Sequence, residues 1–132
     1  MKSWTDWVDL SAENVRAVPE DAKGVYVIRK KGARSEKESD IIYIGQSGKG
    51  RQGVANKRQG VGKRLTNLVA ELKSSSNKGN NHSAGLKIKE HLKNGLQFSW
   101  IECVENPDGV EKALLLAFFC SAKKLPVCNN SF

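Results

Sequence analysis

The chain has 132 residues, enough for one domain around one core. Its 39% hydrophobic and 27% charged composition is that of a globular protein, and no apolar run approaches the ~20 residues that a membrane-crossing helix needs. Lys and Arg number 22 against 14 Asp and Glu, a net charge of +8. The opening "MKSWTDWVDL" lacks the apolar stretch of a secretory signal, so a cytoplasmic location is expected. Cys103, Cys120 and Cys128 form no CxxC pair, and any disulfide leaves one of them over. Free thiols are therefore expected, and neither a disulfide framework nor a zinc cluster.

In chain order, "SAENVRAVP" (11–19) predicts a short helix with Ser11 as N-cap, ended by Pro19. "GVYVIRK" (24–30) is rich in β-branched and aromatic residues and predicts a strand. Tyr26 then shares a face with Gly24 and Ile28, while Val25 and Val27 take the other. "KGARSEKES" (31–39) reads as a polar, mobile connection, and "DIIYIGQ" (40–46) as a second strand forming an antiparallel hairpin with the first. Between 45 and 62 there are six glycines, too many for one regular element.

"KRLTNLVAEL" (63–72) puts Leu65, Leu68, Val69 and Leu72 on one helical face. After the low-complexity "KSSSNKGNN" (73–81), "HSAGLKIKEHLKNG" (82–95) predicts a basic helix with Ile88 and Leu92 inward and Gly95 as its stop. "LQFSWIECV" (96–104) alternates Leu96, Phe98 and Trp100 against Gln97, Ser99 and Ile101, a third strand. "NPDGVEKALLLAFFCSAKKL" (106–125) predicts a long helix, buried over 113–120, with Asp108 as cap and Glu111 at the third position of a capping box.

The positive charge is concentrated. From Ile41 to Ala70 there is no acidic residue, while Lys49, Arg51, Lys57, Arg58, Lys63 and Arg64 all fall there. Such a block suits a polyanion, because neutralising phosphates releases condensed counterions. "GQSGKGR" imitates a phosphate loop, but Arg51-Gln52 stands where a Walker motif needs Lys-Ser/Thr. His82 and His91 share no ligand spacing with each other or with the cysteines.

Two tyrosine-bearing strands, an arginine opening a helix, a glutamate in the first turn of a later helix and a terminal "LPVCN" stand in a set order. In this order the chain resembles the GIY-YIG nuclease family, over residues 20–130, with GVY in place of GIY and with Tyr43-Ile44-Gly45 intact. The resemblance implies a small α/β sandwich with a central three-stranded antiparallel sheet flanked by helices, in a single domain spanning 1–132. It implies that Tyr26 and Tyr43 act on the attacking water and the phosphate, with Tyr26 the better placed to take the proton. A free phenol has a pKa of ~10, so nearby metal or cationic charge would have to lower it. Arg64 matches the family arginine, with Arg51 and Arg58 as competitors. Glu111 matches the carboxylate that holds one Mg²⁺ or Mn²⁺ ion. Asn129 matches the terminal asparagine, with Asn130 as a rival. Lys23 and His82 are further candidates for phosphate contact or proton transfer.

The activity so implied is metal-dependent endonucleolytic hydrolysis of DNA by a monomer or a transient homodimer on its substrate. RNA carries the same phosphodiester and suits the same residues. A binding module of this fold that grips DNA without cutting it is the alternative.

Overall fold

The computed structural model describes residues 3–31, 40–47, 60–74, 84–92, 95–103 and 105–129. Its elements are β1 (Val8–Asp9), α1 (Ala12–Arg16), β2 (Gly24–Lys30), β3 (Ile41–Gln46), α2 (Val61–Lys73), α3 (Gly85–Lys89), β4 (Leu96–Glu102) and α4 (Pro107–Ala122). The architecture is α/β, with a four-stranded antiparallel sheet in the order β1-β4-β2-β3.

The three expected strands are present, and a fourth is added. Val8 and Asp9 pair with Phe98 and Gln97, and the N-terminal segment is tied on further by Thr5 N–H to the Trp100 carbonyl at 3.0 Å. The three-stranded expectation is thus corrected: a two-residue strand leaves no alternation to read in "WTDWVDL".

Period-two alternation sorts the strand side chains onto two faces. Tyr26, Ile28 and Phe98 point to the face covered by α1, α2 and α3, and pack with Val15, Leu65, Leu68 and Ile88. Ile42 joins the same cluster because the β2–β3 register slips between Ile28 and Arg29, a bulge that breaks the alternation beside Tyr43. Val25, Val27 and Ile44 point the other way, onto Leu115 of α4. β2 and β4 approach so closely at one end that a Cβ on Gly24 would lie 2.0 Å from the Ile101 carbonyl oxygen. Only glycine fits there.

α1 is capped as expected, with Ser11 Oγ accepting from Asn14 N–H at 3.2 Å. α2 has no side-chain cap. Its leading N–H groups are met instead by backbone carbonyls of the preceding turn: Val61 to Ala22 at 2.7 Å and Gly62 to Pro19 at 3.1 Å. A Cβ on Gly62 would come 2.4 Å from the Val18 carbonyl oxygen, so glycine permits this approach. The helix start is thereby fastened to the turn that leads into β2.

Three further expectations are corrected. α3 is basic and buries Ile88 as expected, but it covers only Gly85–Lys89, and Leu92 lies beyond its end and is exposed. α4 buries Pro107, Leu115 and Phe118, whereas Leu116 is 55% and Phe119 41% exposed, because a helix in an outer layer has one side against the sheet. Its N-cap is Asn106, whose Oδ1 accepts from Gly109 N–H at 2.9 Å, and Asp108 falls inside the first turn. Pro107 explains the shift, since proline is favoured directly after the cap, where its missing N–H would be unpaired anyway. Cys103, Cys120 and Cys128 are free thiols, as expected.

Among the described residues, no helix is long and apolar enough to cross a membrane.

Candidate active site

Tyr26 sits opposite Gly45, and Tyr43 opposite Ile28, so both rings emerge on the same face of the β2–β3 pair. Their centroids are 6.0 Å apart with a tilt of 45°. Gly45 makes this pairing possible. A Cβ there would lie 2.6 Å from Tyr26 Cζ, 2.7 Å from its hydroxyl oxygen and 2.7 Å from Tyr43 Cε2. The glycine of "YIG" is thus the floor over which the two phenols meet.

Arg64, in the first turns of α2, joins them. Its guanidinium hydrogen-bonds both hydroxyls, and the hydroxyls bond each other. Arg64 Nε is buried and has no hydrogen-bond partner among the described residues. A buried donor left unpaired carries a desolvation cost of about 1–3 kcal/mol, which an arriving acceptor would relieve.

Burial dominates the electrostatics of both phenols. Tyr26 has no exposed surface, and desolvation holds its pKa well above the ordinary value of 10, Arg64 notwithstanding. Tyr43 is partly exposed, and its pKa is also raised, first by burial, with the charge of Glu111 adding to it and Arg64 opposing. Among the protein's own groups, the single Arg64 guanidinium does not outweigh the loss of water at either phenol. Tyr26 has no exposed surface, whereas Tyr43 is partly open to solvent.

Glu111 approaches from α4. Gln46, the last residue of β3, donates from Nε2 to Glu111 Oε1 at 3.2 Å and to Asp108 Oδ1 at 2.9 Å. Asp108 Oδ2 also faces Lys112 Nζ at 3.4 Å. Two carboxylates thus stand together at the start of α4, where the positive end of the helix favours them. Oxygen donors of this kind suit a hard divalent cation, which keeps several waters and needs only one or two carboxylates. Among the described residues, no group of three or more His, Cys, Asp and Glu gathers.

Asn129 acts on the backbone. Its Nδ2 donates to the Ile44 carbonyl at 2.9 Å, and its Oδ1 accepts from Ile44 N–H at 3.0 Å. β3 is an edge strand, so the outward N–H and C=O of Ile44 have no neighbouring strand to pair with. One carboxamide meets both, and Cys128 N–H adds a bond to the Ile42 carbonyl at 2.8 Å. The segment holding "VCN" thus closes the edge of "IYIG".

Tyr26, Tyr43 and Arg64 are brought into one cluster, Glu111 borders it, and Asn129 braces the strand beneath it. Lys23 and Lys63 are exposed on the surface, at the starts of β2 and α2. Lys49, Arg51, Lys57, Arg58, His82 and Asn130 lie outside the described residues. Sequence reasoning missed Gln46 and the carboxylate role of Asp108. The i, i+3 spacing of Asp108 and Glu111 was a readable signal, since it sets both on one helix face. Compared with known proteins, the chain matches no family model, no curated protein and no solved structure.

Proposed function

We propose that the chain is a GIY-YIG-type endonuclease that hydrolyses phosphodiester bonds of DNA with the help of one Mg²⁺ or Mn²⁺ ion. The observation that carries this reading is the buried Arg64 Nε, without a partner among the described residues, beside two tyrosine hydroxyls. A donor held dry and unmatched next to two phenols and a carboxylate suits a phosphate oxygen that gains charge in the transition state. The run from Ile41 to Ala70, with six Lys and Arg and no acid, supports a polyanionic substrate.

In this reading water oxygen bonds to phosphorus as one of its protons passes to solvent, the ester P–O bond breaks, and the leaving oxygen takes a proton back from solvent. Tyr43, the partly exposed phenol beside Arg64, orients water or a phosphate oxygen through its hydroxyl. With its pKa raised it works at neutral pH as a neutral donor rather than a phenolate. Tyr26 supports it from within. Arg64 takes the phosphate oxygen through Nε. Glu111, with Asp108 beside it, would hold the cation, which supplies charge that acidifies water and offsets that of the phosphate.

A module that grips DNA without cutting is the second reading, and the raised pKa of both phenols favours it. The experiment is incubation of purified protein with supercoiled plasmid and with labelled RNA, with Mg²⁺, Mn²⁺ or a chelator. Nicking of plasmid that needs the cation and is lost in Glu111→Ala, while mobility shift persists, is the expected result. A shift without cutting under every condition would leave the binding module, and cutting confined to RNA would change the substrate.

A further inference from the structure

Gln46 follows Gly45 directly and ends the strand that carries Tyr43. One carboxamide nitrogen has two hydrogens, and here each goes to a different carboxylate: Asp108 Oδ1 at 2.9 Å and Glu111 Oε1 at 3.2 Å. We propose that Gln46 is a positioning residue for Glu111, fastening its carboxylate to the end of β3 and so setting how tightly the site takes a divalent cation. This rests on the reading of Glu111 as the ligand.

The physical need is plain. Asp108, in the first turn of α4, and Glu111, in the next, lie three positions apart, so two like charges are neighbours and tend to splay. Asp108 is held at both oxygens, by Gln46 on Oδ1 and by Lys112 on Oδ2. Glu111 has a longer side chain with more rotamers to lose on ligation. A donor on one of its oxygens reduces that freedom before the cation arrives. The donor must also be neutral. A lysine or arginine in its place would compete with the cation for the carboxylates, and a glutamate would add a third negative charge. Amide is the side chain that can bind both acids without changing the charge. Such supporting partners of a ligating carboxylate typically change metal affinity by about 10- to 100-fold when removed.

The test is Mn²⁺ binding to the full chain without nucleic acid, followed by the loss of the free-ion electron paramagnetic resonance signal. Wild type, Gln46→Leu, Gln46→Met and Glu111→Gln are compared, with circular dichroism melts on each. Gln46→Leu and Gln46→Met should weaken Mn²⁺ binding by about 10- to 100-fold. In plasmid cleavage they should raise the Mn²⁺ concentration for half-maximal rate by the same factor and recover kcat at saturation. Binding lost in Glu111→Gln but unchanged in both Gln46 variants overturns the role of Gln46 alone. Binding unchanged in Glu111→Gln overturns the ligand reading and this inference with it. Failure of both Gln46 variants to fold overturns positioning in favour of a purely structural bond.

Discussion

β2 and β3 each carry one tyrosine, on the same face of the sheet, yet the two strands occupy different kinds of position. β2 is flanked by β4 and β3, and its tyrosine is sealed beneath the helices with no exposed surface. β3 is the edge, and Tyr43 is partly open. The central strand is satisfied by its neighbours through its whole length; the edge strand needs Asn129 and Cys128 to close its outer side. Two similar short motifs therefore diverge in use, because position in the sheet, and not the local sequence, decides which hydroxyl meets solvent.

The largest effect should come from separating the two hydroxyls. Tyr43→Phe is expected to lower single-turnover plasmid cleavage by ~10²-fold, the scale of losing an oriented transition-state donor. Tyr26→Phe removes one supporting hydrogen bond, worth about 1 kcal/mol, and should slow turnover by less than ~10-fold. Both variants keep their rings and should fold. Equal losses in the two, or a greater loss in Tyr26→Phe, would break the distinction between a working and a supporting tyrosine.

Next in size is Gly45→Ala. The added Cβ would press on both rings at 2.6–2.7 Å, and neither can retreat from the packed face of the sheet. Overpacking of this kind destabilises by about 1–3 kcal/mol, read as a lower urea midpoint at unchanged slope. Because the clash falls on the tyrosine pair itself, cleavage should drop together with stability. A variant as stable and active as wild type would show that the rings have room the distances deny.

Much of this arrangement was legible in the sequence, and the parts that were not have definite causes. Alternation along "GVYVIRK" put Tyr26 with Ile28 and opposite Val25 and Val27, which is where they lie. Helical spacing in "KRLTNLVAEL" gave the buried face of α2, with Leu65, Leu68 and Val69 inward. The depth of Tyr26 could not be read that way, since alternation tells which face a residue takes but not whether its strand is central. The joint of Gln46 to Asp108 and Glu111 spans more than 60 positions of sequence and depends on how α4 lies on the sheet. The cap of α4 was different: Pro107 pointed to Asn106, and the acid two positions on drew attention from it.

Asn129→Ala should produce an intermediate effect. It strips the partners from one N–H and one C=O at the part-buried edge of β3, which water can only partly replace. The expected loss is about 1–2 kcal/mol of stability, with a fall in turnover as the strand under Tyr43 loosens. Hydrogen exchange should quicken at Ile44, while Tyr26 and its neighbours on β2 stay protected. Equal quickening on both strands would mean that the central strand draws its order from the same edge bond.

The smallest effect is the one with pH, and it reads the two strands directly because the chain contains only two tyrosines. Unfolded, both should ionise near a pKa of about 10. Folded, both are raised, Tyr26 well above that value, so below pH 10 both states hold their protons and stability is undiminished. As pH climbs past 10 the unfolded chain releases protons that the folded chain retains, and stability falls by up to about 1.4 kcal/mol per pH unit for each group until its folded pKa is passed. Cys128 adds to the same trend from lower pH, since burial lifts its thiol from 9.0 to about 11. Absorbance of tyrosinate should rise near pH 10 in urea, but later in the native protein, beginning with the step carried mainly by Tyr43. Tyr43→Phe should remove that first step and leave a tyrosine that ionises only as the fold is lost. If native and urea titrations coincide, Tyr26 is not sealed, and the contrast between the central and the edge strand fails at its simplest point.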